Sequence, residues 1–184
     1  MSAQIRKASK IALTLAFTAL ASSAFAAKMV GGAAMYPSRN IIQNAVHSKD
    51  HTTLVAAVKA AGLVATLESK GPFTVLAPTN EAFAKLPAGT VDSLLKPENK
   101  AKLTAVLTYH VLPGRLTAAV LKHDISMGHG KAVLKTVQGE DLTFTKAGRG
   151  LMVTDAKGDH AKITIDNVMQ SNGVIHVINT VLIP

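Results

Sequence analysis

The stretch GPFTVLAPTNEAFAKL, residues 71–86, decides the fold. Phe73, Val75 and Ala77 alternate with Thr74 and Leu76, and none of the five is charged. A strand covered on both faces reads this way. Pro78 has no N–H to give a sheet ladder, so the strand is expected to stop there. Thr79 suits a helix N-cap, and Glu81 sets a carboxylate in the first turn, where the helix dipole favours negative charge. Phe83 and Leu86 stand three apart, which turns one face of the short helix towards the core. Pro87 and Gly89 close it.

Upstream, the chain reads as short helices. Ile41, Ile42, Ala45 and Val46 recur at helical spacing behind Asn40, a capping residue. Thr52 or Thr53 opens a second helix that ends near Gly62, and Leu63, Val64 and Leu67 make a further turn before Gly71. Downstream, Thr90 caps a segment over 91–95, and Pro97 interrupts. Residues 98–110 are the longest helical candidate, with Leu103, Val106, Leu107 and His110 at i, i+3, i+4 and i+7. Pro113-Gly114 ends that segment, and a last short helix is expected over 116–123. After Gly130 the period changes to that of strands: 131–138, 142–146, 151–154, 162–167 and 174–183, parted by Gly, Asp and Asn turns. Helices packed on a largely antiparallel sheet or sandwich, an α+β architecture, is the fold class this implies.

Three ordered motifs give the chain a resemblance to a family. FTVLAPTNEAF resembles the first signature of the fasciclin family of secreted adhesion domains. Tyr109-His110-Val111-Leu112-Pro113-Gly114 is similar to its central Tyr-His segment, and Asn172-Gly173-Val174-Ile175-His176-Val177-Ile178 through Pro184 to its closing strand. The resemblance covers residues 40–184 and implies a wedge-shaped β-sandwich with several short helices packed in its N-terminal half. It implies a non-enzymatic domain that mediates adhesion or protein binding, without cofactor. The partner class it implies is an extracellular or envelope protein or polymer. It also makes Tyr109 and His110 a candidate adhesion or structural motif. One departure is visible: the family more commonly has an acidic residue at the position of Asn179.

Residues 1–26 stand outside the fold. Arg6, Lys7 and Lys10 form a positive head, an apolar run covers 11–21, and Ala24-Phe25-Ala26 fits a small-x-small cleavage site. That is the pattern of a secretory signal peptide, and the run is shorter than the roughly 20 residues of a spanning helix. Cleavage after Ala26 leaves 158 residues, one domain's worth. No integral membrane segment is expected in this mature chain, and a secreted location, periplasmic or extracellular, follows. Residues 28–39 (KMVGGAAMYPSR), with two glycines and a proline and no period, read as part of an exposed leader over 27–39.

Composition excludes several functions. There is no cysteine, which removes disulfides, zinc–thiolate sites and thiol chemistry. The signal holds three of the twenty Lys and Arg residues and no acid, so the mature charge is 17 minus 11, or +6. These cations are scattered, and only Lys96, Lys100 and Lys102 lie close together. A basic groove interleaved with stacking aromatics is absent, so no nucleic-acid partner is implied.

The seven histidines divide by context. His123 and His129 flank Asp124, but six apart they match no ligand motif, and a solvated loop accounts for them. His47, His51 and His160 have polar neighbours and read as surface residues. His110 shares its stripe with Leu103, Val106 and Leu107, leaving Tyr109 nearer the helix flank. His176 shares a strand face with Val174 and Ile178. A histidine among apolar groups needs hydrogen bonds to offset lost hydration, so both read as structural braces. Thr79 and Asn80 join His176 as structural residues. No Gly-x-Ser-x-Gly elbow, Ser-x-x-Lys or phosphate-binding glycine loop is present. Glu140 and Asp141 are adjacent and would point to opposite faces of a strand, and turn chemistry explains Asp155 and Asp159. An adhesion or protein-binding domain is the leading reading. A periplasmic binder of a small apolar ligand held between helices and sheet comes second, and a hydrolase third.

Overall fold

In a computed structural model of the chain, the structure describes residues 27–184. The signal peptide expected over 1–26 lies outside them.

The expected strand forms as β3 (Phe73–Pro78) and is buried along nearly its whole length. It stops at Pro78, and the short helix α4 (Asn80–Ala84) follows with the Thr79 side chain accepting the Ala82 N–H. Before β3 come α1 (Ile41–Ala45), α2 (Thr52–Ala61) and α3 (Val64–Glu68). Asn40 and Gln43 form a reciprocal capping box on α1, and Gly62 ends α2 at φ 74°, a left-handed turn natural to glycine. After α4 come α5 (Thr90–Leu94), a 3-10 turn (Pro97–Asn99) and α6 (Lys100–Tyr109). Pro97 takes the front of the expected 98–110 helix into that turn, so its α-helical part is shorter. α7 (Ala118–Met127) starts two residues later than expected, with Thr117 as its cap, and runs on to Met127.

One seven-stranded sheet organises the rest. It adds β4 (Val111–Pro113), β5 (Lys131–Lys135), β6 (Asp141–Ala147), β7 (Gly150–Thr154), β8 (His160–Gln170) and β9 (Gly173–Ile178). The order is β4-β3-β9-β8-β7-β6-β5. Every pair is antiparallel except β3 with β9, which run parallel in register from Phe73 opposite Gly173 to Pro78 opposite Ile178. The 11-residue β8 is broken twice in register, between Ile163 and Ile165 and between Ile165 and Val168. Such bulges bend a strand. Beyond the bend, β8 leaves β9 and pairs with β7.

Two cores result, one on each face of β3 and β9. Val75, Ala77, Ile175 and Val177 point to the helical side and pack with Leu54, Val58, Leu103 and Leu107. Leu76 and Ile178 point the other way and pack with Leu121, Ile125, Phe144 and Val153. The second core thus has β3 and β9 on one side and β6 and β7 on the other, a sandwich made by one folded sheet. This is the α+β wedge that the motifs imply.

The expectation of an exposed leader over 27–39 needs correction. Lys28–Val30 (β1) and Ala33–Met35 (β2) form a hairpin, with Val30 and Met35 buried in the helical core. Gly31 and Gly32, at φ 56° and 75°, make the two-residue turn that twisted hairpins favour. Three-residue strands are too short to show a period, so the glycines alone mislead. The hairpin is tied down by Lys28, paired with Asp166 at 3.2 Å, the only salt bridge among the described residues.

Candidate functional site

Tyr109 and His110 sit at the junction of the two cores, where α6 ends and β4 begins. Both are buried, at 0% and 2% exposure. Tyr109 does not lie on the helix flank as the spacing suggests. It is the last residue of α6, and its ring enters the second core while Leu103 and Leu107 enter the first. Its hydroxyl donates to the Asp141 carbonyl (3.2 Å) and accepts the Ala156 N–H (3.0 Å). Burial pushes the phenol's pKa up.

His110 uses both ring nitrogens on backbone groups. Nε2 accepts the Leu182 N–H at 3.0 Å, so the ring proton is on Nδ1, which donates to the Val106 carbonyl at 2.8 Å. Burial lowers its pKa to about 4, opposed by the Val106 bond and the Asp155 charge. His176 mirrors it. Its Nδ1 accepts the Asn167 N–H (3.3 Å) and Nε2 donates to the Leu116 carbonyl (2.8 Å). Burial lowers its pKa as well. The His176 ring ties β9 to β8 and to the segment before α7, and the His110 ring ties the end of α6 to the segment after β9.

Asn80 has a similar role between helices. Its side-chain oxygen accepts the Thr53 N–H at 3.0 Å, serving the start of α2, while its nitrogen donates to the Lys49 carbonyl at 2.9 Å. Thr79 and Asn80, neighbours in sequence, therefore cap two different helices. At Asn179 the side-chain oxygen accepts the Lys162 N–H at 2.8 Å. An amide serves there as well as a carboxylate would, so the departure from the family pattern is local.

Several organising residues are not legible in the sequence. Asn172 accepts the Ile41 N–H and donates to the Leu67 and Ser69 carbonyls, joining the closing turn to α1 and α3. Asn44 reaches both the Tyr36 backbone and the Gln170 side chain. Asp155 does more than shape its turn: Oδ1 accepts the Lys157 and Asp159 N–H groups, and Oδ2 accepts that of Ile183 at 3.1 Å. An Asn before Gly reads equally well as a plain turn, so the closing motif that begins at Asn172 does not reveal these bonds.

His51 is a second correction. Its polar neighbours suggested the surface, but it is buried, with Nδ1 2.8 Å from Ser48 Oγ. The 3-10 turn Lys49–His51 folds the ring inwards while Lys49 and Asp50 stay exposed. His47, His123, His129 and His160 are exposed. Among the described residues no three His, Asp or Glu side chains gather as a metal ion would require.

Between the helices and the sheet lies a cavity of about 70 Å³. Its wall is almost entirely apolar and includes Met35, Ile41, Leu54, Leu67, Val75 and Ile175, with His51 and His110 also part of it. It occupies the place where the second sequence reading put a ligand.

A bent, mostly antiparallel sheet with most of its helices on one face and α7 on the other, holding a parallel β3–β9 pair, defines a fasciclin-type fold. The solved domain pair of fasciclin I, an insect cell adhesion molecule, superposes with a TM-score of 0.69 at 16% identity. That match covers 79% of this chain and 51% of the other. The fasciclin domain family model matches residues 49–184, and the chain belongs to the fasciclin family. It is 47% identical over 157 residues to protein sll1483 of Synechocystis, spanning 85% of this chain and 79% of that protein. It is also similar to the immunogenic protein MPB70 of Mycobacterium bovis, at 36% over 145 residues (76% and 66% of the two chains). The pig transforming growth factor-beta-induced protein ig-h3 matches at 42% over 132 residues, 71% of this chain but only 17% of that protein. No helix among the described residues is long and apolar enough to cross a membrane.

Proposed function

We propose that this is a secreted, non-enzymatic fasciclin domain that mediates adhesion or protein binding at the cell surface, in the periplasm or in the matrix. The observation that carries this reading is the fasciclin match over 49–184, because the same fold is paired in an insect cell adhesion molecule. The signal pattern of residues 1–26 supports export. Tyr109 and His110 act on binding through the fold, since both are buried and spend their polar atoms on backbone partners. The test is attachment of intact cells or envelope vesicles to a surface coated with the purified protein. Saturable attachment, competed by soluble protein and lost after heat-unfolding, is expected; attachment that soluble protein does not compete would sink the reading. Export is checked separately by N-terminal sequencing of fractionated material, which should begin at Ala27.

The second reading, a binder of a small apolar ligand between helices and sheet, is favoured by the cavity against Val75 and Ile175.

A further inference from the structure

Away from the cavity against Val75 and Ile175, we infer that an amphipathic groove on the helical side takes a medium-chain fatty acid, its carboxylate on Lys102 and its tail along α6. Two hollows make the groove. One, of about 310 Å³, lies between α5, α6 and the segment after β9, with a mostly apolar wall that includes Leu86, Leu94, Val106, Val181 and Ile183. The other, of about 350 Å³, is half polar, with Gly89, Ser93 and Asn99 in its wall. They adjoin, since Thr90, Leu94 and Lys102 belong to both. Helical spacing produces this shared rim. Thr90 and Leu94 stand four apart on α5. Lys102 and Val106 stand four apart on α6, each one position ahead of a leucine, Leu103 or Leu107, that enters the core.

Charge and hydrogen-bonding capacity choose the head. Lys102 is exposed and is the only charged side chain in either wall. The one salt bridge among the described residues joins Lys28 to Asp166, so Lys102 has no carboxylate partner. The acids nearest in sequence, Asp92 and Glu98, belong to neither wall. Asn99 Nδ2 donates to the Ser93 carbonyl at 2.7 Å and to Ser93 Oγ at 3.2 Å. Ser93 Oγ therefore keeps its own proton for an incoming oxygen. An ammonium and a hydroxyl proton on one wall suit a carboxylate, and the ammonium repels a cationic head. Volume sets the tail. A methylene takes about the liquid volume of a water, about 30 Å³, so the seven carbons beyond the carboxylate of octanoate need about 210 Å³. The apolar hollow, at about 310 Å³, accommodates them. Access is open at both ends. Ala88, Gly89 and Lys102 are exposed, and Leu86, Leu94, Val106 and Ile183 are only half-buried, so covering them removes apolar surface from water.

The test titrates the purified protein at low salt with octanoate, octylammonium and acetate, each below any micellar concentration, and follows the methyl groups by NMR. Octanoate should shift Leu94, Val106 and Ile183 saturably, and acetate, a head without a tail, should not. Octylammonium, the same tail with the opposite charge, should bind about tenfold more weakly. Lys102→Met keeps the apolar stem, so it should weaken octanoate about three- to fivefold and leave octylammonium no weaker. Methyls unmoved by octanoate would overturn the site. Shifts confined to Leu54 and Ile175 would do the same, by placing the chain in the other cavity. Equal affinities for octanoate and octylammonium, or octanoate binding unchanged in Lys102→Met, would overturn the assignment of the head. Anionic vesicles that broaden these methyls where octanoate has no effect would replace the fatty acid with a bilayer contact. The groove shares no residue with the cavity against Val75 and Ile175, and attachment is measured separately, so this inference can fail without either reading of the function.

Discussion

Leu182 donates its backbone N–H to the ring of His110, 72 positions earlier in the chain, across 3.0 Å. That bond, with Ile183 on Asp155, holds the segment after β9 against the end of α6. The motif tied to adhesion by resemblance is therefore also the clasp of the domain's last segment.

Removing the clasp should unfold the domain before it alters any surface. His110→Ala strands the buried Leu182 N–H and Val106 carbonyl, and a loss on the order of 1–3 kcal/mol is expected. Tyr109→Phe strands the Ala156 N–H and Asp141 carbonyl, with a loss of similar order. Urea unfolding gives both values, and attachment measured on the folded fraction should stay at the wild-type level. Wild-type stability with abolished attachment in His110→Ala would establish direct contact instead.

Acid should destabilise the protein through its buried histidines. Folded His110 binds its proton only near pH 4, while the unfolded ring binds at about 6.5. Between those values the unfolded state carries the extra proton, so stability is full above about pH 6.5 and falls as pH drops towards 4. At roughly 1.4 kcal/mol per unit, His110 alone contributes about 3 kcal/mol over that window. His51 and His176 shift in the same direction. Urea midpoints at pH 7.5, 6 and 5 should decline, and the decline should be shallower in His110→Gln.

The closing turn should tolerate little change. A Cβ on Gly173 would run into the Phe73 carbonyl, a backbone atom of the neighbouring strand that cannot move aside cheaply. Gly173→Ala should cost about 1–3 kcal/mol, as overpacking does. Asn172→Ala, which leaves the Ile41 N–H and two carbonyls unpaired, should cost at least as much. Thermal unfolding of the two variants checks this, and a Gly173→Ala midpoint equal to wild type would contradict the close approach.

Deleting residues 172–184 should leave no folded protein. β9 lies between β3 and β8 and is buried throughout, so its loss would open both cores at once. A soluble truncation with a cooperative unfolding transition would show that the helical core stands alone.

The legible parts of this fold are those where one local rule suffices. Strand β3 declared itself by five uncharged residues and a proline stop, α1 by Asn40, and α2 by its closing Gly62. The family motifs identified the whole, and spacing placed His110 inward. What stayed hidden depends on partners far along the chain. Nothing near Tyr109 says that its hydroxyl meets residues 141 and 156. His51 sits among polar neighbours and is buried only because a 3-10 turn tucks it in. Val30 and Met35 gain cover from helices not yet written when the leader is read. The cavity belongs to no segment, since helices, hairpin and sheet each contribute part of its wall.

The parallel pairing of β3 with β9 also sets the order in which the molecule can form. Phe73 must find Gly173, 100 positions later (173 minus 73), before either core has its central pair. Contacts so distant in sequence close large loops and form slowly. During synthesis, β3 is made long before its partner exists and waits with apolar faces on both sides. A chain in that state is still a flexible thread, the form in which an export channel can accept it. The placement of β3 beside β9 at the middle of the sheet thus delays the closing of both cores until Ile178 has been made, which suits the secreted reading proposed above.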